Sequence, residues 1–308
     1  RMYYHAWQIP VPGTEAHPLY IAYAESPDGI HWIKPDLGIV EIDGSKDNNV
    51  VLATINGAEC HDLSVFKDAN PQAKEDEKYK AVGFGRNPAG LYAFYSADAL
   101  HWTPYNNSRP VMTGHPFDTQ NVAFWDPQIG KYRAYIRDFR EGIRDIMTAT
   151  SDDFVQWTER EWLKYPGAPT EQLYTNQIKP YYRAPHILVG FPARYTERDW
   201  SPSMRALPSL ELRERRAKMS TRYGTAVTDG LLMTSRDGRT FRRWDEAFLR
   251  PGLRTRHNWA YGDNYLAWHV VETDSADNDS PRELSLYATE GYFTGTSSRL
   301  RRYTLRID

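Results

Sequence analysis

The sequence predicts an all-β fold, a five-bladed β-propeller, from three observations. A turn phrase is written four times, alternating apolar and polar residues precede each copy, and five polar segments each open such a unit. The phrase is Glu25-Ser26-Pro27-Asp28-Gly29-Ile30-His31-Trp32. It returns as Ser96-Ala97-Asp98-Ala99-Leu100-His101-Trp102, Ser151-Asp152-Asp153-Phe154-Val155-Gln156-Trp157 and Ser235-Arg236-Asp237-Gly238-Arg239-Thr240-Phe241-Arg242-Arg243-Trp244. Runs such as Leu91-Tyr92-Ala93-Phe94-Tyr95 precede it, and a period of two marks a half-buried strand. The Ser and Asp side chains can hydrogen-bond the turn backbone, Gly supplies positive φ in two copies, and the Trp packs the next strand onto its neighbour. One such unit recurring with variable insertions signals radial β repetition.

A length of 308 residues suits one large β domain over 1–308. Tyr, Trp and Phe make 14% of the chain, as packed sheets and carbohydrate-stacking surfaces both require. A mean hydropathy of −0.70 and the lack of a long apolar run exclude a transmembrane helix. The net charge of −2 gives no reason to expect nucleic acid or an anionic membrane as partner. A single cysteine, Cys60, excludes an internal disulfide framework and a Cys-based zinc site. Residues 1–7 read as a strand with no charged-then-apolar leader, as though the chain starts in mid-fold, and 300–308 end while still strand-like.

In order, residues 1 to about 41 give strands at 1–7, 18–25 and 31–34, so the first blade lacks its inner strand. After a turn-rich linker at 43–49, the second unit opens at Asn56-Gly57-Ala58-Glu59-Cys60-His61-Asp62 and continues through strands at 79–84, 91–95 and from Trp102. The third opens at Phe117-Asp118-Thr119-Gln120-Asn121, with strands at 122–125, 131–137, 145–150 and from Trp157. The fourth opens at Glu171-Gln172-Leu173-Tyr174-Thr175-Asn176-Gln177, with strands at 187–191, 231–234 and at Trp244. It carries an Arg-rich insertion at 196–224, expected to be a solvated loop or an oligomer contact, or a grip for an anionic sugar. Within it the spacing predicts a helix over 210–219 with Ser209 as N-cap. The fifth opens at Tyr261-Gly262-Asp263-Asn264-Tyr265, with strands at 266–272, 283–289 and 299–307.

In a propeller the innermost strands start near the axis, so blade-opening residues converge on one funnel. Carboxylates and amides there hydrogen-bond sugar hydroxyls, and aromatic faces stack on sugar rings. Glycoside hydrolysis needs two carboxyl groups across the scissile bond, one acid and one base or nucleophile. Asp62, Asp118 and Glu171 are the expected catalytic set, with Asp263 in reserve. His61, Gln120, Asn121, Tyr174, Asn176, Asp263, Asn264 and Arg137 are the expected substrate contacts. For each opening Asp the structural alternative is a turn cap or an inter-blade bridge; for His61, a hydrogen-bonded structural imidazole; for Arg137 with Asp138, a salt bridge. His, Asp and Glu show no metal-ligand spacing, and neither a metal nor an organic cofactor is expected.

The turns, the opening His61-Asp62-Leu63-Ser64-Val65-Phe66 and the five units together resemble the furanosidase propellers, glycoside hydrolase families 32 and 43, and most narrowly uncharacterised bacterial family-32-like proteins. The resemblance spans nearly the whole chain. It implies a glycosidase acting on an oligo- or polysaccharide through carboxylates. Family 32 carries an Asp nucleophile on the first inner strand, which here would precede Arg1. Its R-D-P position falls on Asp118-Thr119-Gln120-Asn121, and its E-C position on Leu173-Tyr174-Thr175-Asn176 with Glu171 nearby; neither motif is present. There are two rival readings: a carbohydrate-binding propeller without catalysis, and a propeller glycan phosphorylase or lyase.

Overall fold

A computed structural model describes residues 1–7, 17–255, 258–275, 282–292 and 298–307. It is built almost wholly of antiparallel strands and divides into two compact units, 1–138 with 146–163 and 182–186, and 139–145 with 164–181 and 187–308.

The first sheet joins β1 (Met2–Ala6), β2 (Tyr20–Ala24) and β3 (Val50–Leu52). The second runs β4 (Thr54–Ile55), β5 (Ala58–Lys67), β6 (Tyr79–Arg86), β7 (Ala89–Ser96) and β8 (Thr103–Pro104). The third holds β9 (Val122–Asp126), β10 (Lys131–Arg140), β11 (Ile143–Ser151) and β12 (Glu161–Trp162). In all three, strand neighbours are sequence neighbours, as the spacing predicts.

Each turn phrase forms the same clip. Ser Oγ accepts from the N–H three residues on, at 2.8 Å (Gly29), 2.9 Å (Ala99), 2.9 Å (Phe154) and 2.9 Å (Gly238). Asp Oδ1 accepts from two further N–H groups, those of Ile30 and His31, Leu100 and His101, Val155 and Gln156, Arg239 and Thr240. The residue after the Asp is left-handed every time, φ 76° at Gly29, 69° at Ala99, 68° at Phe154 and 74° at Gly238. Only two of the four are glycine. Phe154 is fully buried among Phe66, Tyr105, Tyr132 and Trp157, with ring centroids 5.0–5.9 Å away. That packing holds a side chain in a backbone region it would otherwise avoid.

After each of the first two turns the outer strand touches its neighbour twice. Ile33 bridges Glu25, and the chain then leaves and returns as β3 to pair Leu52 with Ile21. Likewise Thr103 pairs with Tyr95 before Met112 bridges Leu91. The strand expected at 31–34 is therefore one bridge, and the regular piece lies beyond the turn-rich 43–49.

The fourth unit departs more. Its strands bend, so that β13 (Gln172–Thr175) and β14 (Lys179–Tyr181), β15 (Ala184–Gly190) and β16 (Ala193–Thr196), β17 (Val227–Gly230) and β18 (Met233–Ser235) fall into two sheets. The sheets are ordered β13-β16-β17 and β14-β15-β18-β19, with β19 at Arg242–Arg243. The break falls at Phe191-Pro192, where proline has no N–H for the ladder. Phe191 N–H to Asn176 O, 3.0 Å, and Leu231 N–H to Pro192 O, 2.9 Å, carry the chain across it.

The insertion is helical: α1 (Pro202–Arg205), α2 (Leu210–Ala217) and α3 (Thr221–Thr225). Ser209 precedes α2 as expected but sits at φ 62°, its side chain making no cap bond. The expectation of a solvated Arg-rich loop fails for Arg213 and Arg216, which are buried. Arg213 donates to the carbonyls of Pro208, Asn258 and Trp259 (3.0, 2.8 and 2.8 Å), and Arg216 to that of Tyr261 (2.9 Å). A guanidinium group, with its fan of N–H donors, satisfies carbonyls that irregular backbone leaves without partners. In the fifth unit the strand expected at 266–272 begins as a bridge from Leu266 to Ala288 and becomes regular only at β20 (Val271–Asp274). It pairs with β21 (Arg282–Glu290), and that with β22 (Arg299–Arg306).

Two outcomes test the clips and their packing. Phe154→Ala should cost about 3–5 kcal/mol in urea unfolding, because it empties a filled aromatic site. The turn carboxyls Asp98, Asp153 and Asp237 lie below their ordinary value. At each, burial opposes the shift and the turn N–H groups outweigh it; Asp237 falls to about 2. A lowered folded pKa gives stability that is present above the unfolded value and lost as pH falls through the folded one. The thermal midpoint should therefore drop between about pH 4 and pH 2, and less so in Asp237→Asn.

Candidate functional site

In the first compact unit the opening of β5 gathers five polar side chains. Regular alternation would place His61 and Asp62 on opposite faces, but the β5–β6 register shifts between His61 and Ser64, and Asp62 stands at φ 55°. This bulge re-aims the Asp62 carboxylate, which is 24% exposed. The Asp62 N–H donates to His5 Nε2 at 2.6 Å, and the same nitrogen lies 3.4 Å from Asp62 Oδ1. Accepting that bond assigns the His5 ring proton to Nδ1. His61 Nε2 lies 3.0 Å from Glu59 Oε2, its ring edge-on to His5 at 5.9 Å, and Arg86 Nε approaches Glu59 Oε2 at 3.7 Å. Burial lowers the His61 pKa, with Glu59 opposing it, which favours the neutral imidazole. Sequence reasoning named His61 and Asp62 and passed over His5 and Arg86. The alternation that puts Glu59 and His61 two apart on one face was a usable signal.

The opening of the third repeat is organised by Arg137. Its buried guanidinium pairs with Asp118, which is 56% exposed, and donates to Pro116 O at 2.6 Å. Its backbone N–H donates to Asn121 Oδ1 (3.1 Å), while Asn121 Nδ2 donates to the carbonyls of Phe117 and Thr119 (2.9 and 2.8 Å). Gln120 beside it is half-buried, and His115 pairs with Asp138.

In the second compact unit both oxygens of Glu171 accept from guanidinium groups, Oε1 from Arg194 at 2.7 Å and Oε2 from Arg243. Arg194 also grips Asp229 through two bonds, 2.9 and 2.7 Å. Asn176 Oδ1 accepts from Ile178 N–H (3.1 Å), and Asn264 Nδ2 donates to Thr228 O (3.2 Å). Like Asn121, both are buried and serve the backbone. Tyr174 stacks on Tyr265, 5.5 Å between centroids at 12°, with Tyr261 edge-on at 6.2 Å.

Asp263 opens the fifth repeat after Gly262, whose φ of 92° and close contact with the Tyr292 ring leave no room for a Cβ. The carboxyl is buried. Its Oδ1 accepts from Tyr292 N–H at 3.0 Å, and Oδ2 has no hydrogen-bond partner among the described residues. Burial pushes its pKa up to about 6, against the Tyr292 N–H and the Arg216 charge. This carboxyl can hold a proton near neutrality, as a general acid must. Among the described residues no group of three or more His, Cys, Asp or Glu is arranged to hold a metal ion, and no helix is long and apolar enough to cross a membrane.

No protein-family model and no curated protein sequence matches the chain. Solved structures do. A glycoside hydrolase superposes with a TM-score of 0.54 at 13% identity, covering 95% of this chain and 80% of its own. The β-1,2-mannobiose phosphorylase of Listeria innocua, solved with β-1,2-mannobiose, gives 0.55 at 14% identity, covering 94% and 67%. A glycosyl hydrolase from Bacteroides ovatus gives 0.50 at 14%, covering 98% and 79%. The fold is accordingly that of the β-propeller glycosidases.

The Asp263 carboxyl sets a pH dependence. A raised folded pKa gives stability that is complete below the unfolded value and lost as pH rises through the folded one. Between about pH 4 and 6 the unfolding free energy should lose on the order of 2 kcal/mol from this group. Urea titrations across that range should show the loss removed in Asp263→Asn.

Proposed function

We propose that this protein is a carbohydrate-active enzyme that breaks a glycosidic bond of an oligo- or polysaccharide, with Asp62 as its reacting carboxylate. The observation that carries the reading is the Asp62 bulge: a left-handed, non-glycine backbone presents a partly exposed carboxylate 3.4 Å from the His5 imidazole, whose ring meets that of His61 edge-on. Such strain costs of order 1–3 kcal/mol and persists where the surroundings impose it, characteristically at sites of chemistry. The shared fold with a glycoside hydrolase supports the same reading.

In this reading Asp62 stabilises or attacks the oxocarbenium-like centre as the bond to the leaving sugar breaks, and the leaving oxygen takes a proton from water. His61, backed by Glu59, accepts the proton of the water that adds to the sugar carbon. Asp118, oriented by Arg137, is the second carboxylate, binding sugar hydroxyls or reacting. Glu171, with both oxygens held by arginines, is assigned to shaping its blade opening. Phosphorolysis is the second reading, prompted by the likeness to a phosphorylase.

Asp62→Asn is the decisive variant, because Asn tolerates left-handed backbone and leaves the bulge intact. On a panel of fructosides, arabinosides and mannosides, with and without inorganic phosphate, the wild-type chain should release sugar. Asp62→Asn should lose turnover by roughly a hundredfold or more at unchanged melting temperature, the size of losing one catalytic group. Phosphate dependence selects phosphorolysis. Full turnover in Asp62→Asn, or glycan binding by the wild type without product, removes the assignment.

A further inference from the structure

Lys179, at the start of β14, brings its Nζ against Nδ1 of His269, and lies 5.6 Å from the centre of the Trp268 ring. Both Lys179 and His269 are half-buried. Among the described residues no carboxylate pairs with Lys179, whereas the buried Lys80 has Asp68 at 2.8 Å. Burial alone pulls the Lys179 pKa down, to about 8.

The contact is held from both sides. Trp268 Nε1 donates to Ile178 O at 3.0 Å, and Gln177 Nε2 to Leu266 O at 2.6 Å, fastening the two segments that carry the pair. His269 stands at φ 94°, a costly backbone for a residue with a Cβ. A lysine and a histidine pressed together repel a cation. One imidazole nitrogen accepts one of three ammonium N–H groups and leaves two donors for a ligand.

We propose that Lys179 and His269 form a binding site for an oxyanion, either a phosphate group or the carboxylate of an acidic sugar. The anion accepts from the ammonium and supplies the negative charge that no carboxylate among the described residues gives Lys179. The Trp268 face fixes the ammonium by cation–π contact so that its donors are presented in one direction.

Calorimetry on the whole chain with inorganic phosphate and, separately, with glucuronate tests this. Saturable binding of at least one is expected. Lys179→Met should weaken it by roughly tenfold or more, the loss of one charge-assisted hydrogen bond, and Lys179→Arg should keep most of it. His269→Asn, which tolerates the left-handed backbone, should also weaken it, and it carries the test should Lys179→Met not fold. Binding of phosphate alone names phosphate as the source, and of glucuronate alone an acidic sugar. Binding of neither, or undiminished binding when Lys179 or His269 is replaced, overturns the site. Because binding is read and not turnover, the result is independent of the sugar-cleaving assignment.

Discussion

The constraint on which the rest of the structure depends is the Ser/Asp clip that turns each repeated strand into its outer neighbour. A left-handed residue costs about 1–2 kcal/mol when it carries a Cβ. Against this, each clip gives three turn N–H groups a side-chain acceptor, each such bond contributing about 1 kcal/mol net. The balance favours the turn even without glycine, which is why Ala99 and Phe154 can stand where Gly29 and Gly238 do. Where Phe replaces Gly, the side chain becomes a core residue and the turn is welded to the sheet behind it.

The clips also explain why some strands were legible in the sequence and others were not. Ser-x-Asp with a Trp a few residues on marks a strand end whatever lies between, so the strands before each turn were readable to within a residue or two. The outer strands beyond the turns carried no such mark. They pair twice with one neighbour and wander between, so the hydrogen-bonded pieces, as at Ile33 and Val50–Leu52, are too short to show a period. In the fourth unit Pro192 marks the break between β15 and β16, a residue readable as a break in its own strand, whereas nothing local marks the matching breaks between β13 and β14 and between β17 and β18.

The site was legible in residue type and not in environment. Asn121, Asn176 and Asn264, at matching places in three openings, look like sugar ligands by composition. In the structure each is buried and spends hydrogen-bonding groups on nearby backbone. An opening turn needs its carbonyls and N–H groups satisfied before it can present anything else. The Asp62 bulge carried one weak sign, since Asp is among the few residues that accept left-handed backbone. His5 could not be assigned at all, because its contact depends on β1 lying across β5, a long-range packing no local pattern records.

Repetition therefore delivers carboxylates to equivalent places, and non-repeated neighbours decide their chemistry. Asp118 faces water beside a buried arginine, so its charge is both compensated and reachable. Glu171 has a guanidinium group on each of its two oxygens, which fixes its orientation and compensates its charge. Asp263 has the burial without a direct ion pair and keeps its proton to near neutrality. Asp62 alone among the four has its backbone bent to present it. Arg137, Arg194 and Arg243, which come from second strands and an outer strand, make the difference for Asp118 and Glu171, burial makes it for Asp263, and the bulge beside His5 makes it for Asp62. The chemistry of such a fold is thus written in the residues that vary between repeats, and a repeat motif by itself locates carboxylates without saying which of them can react.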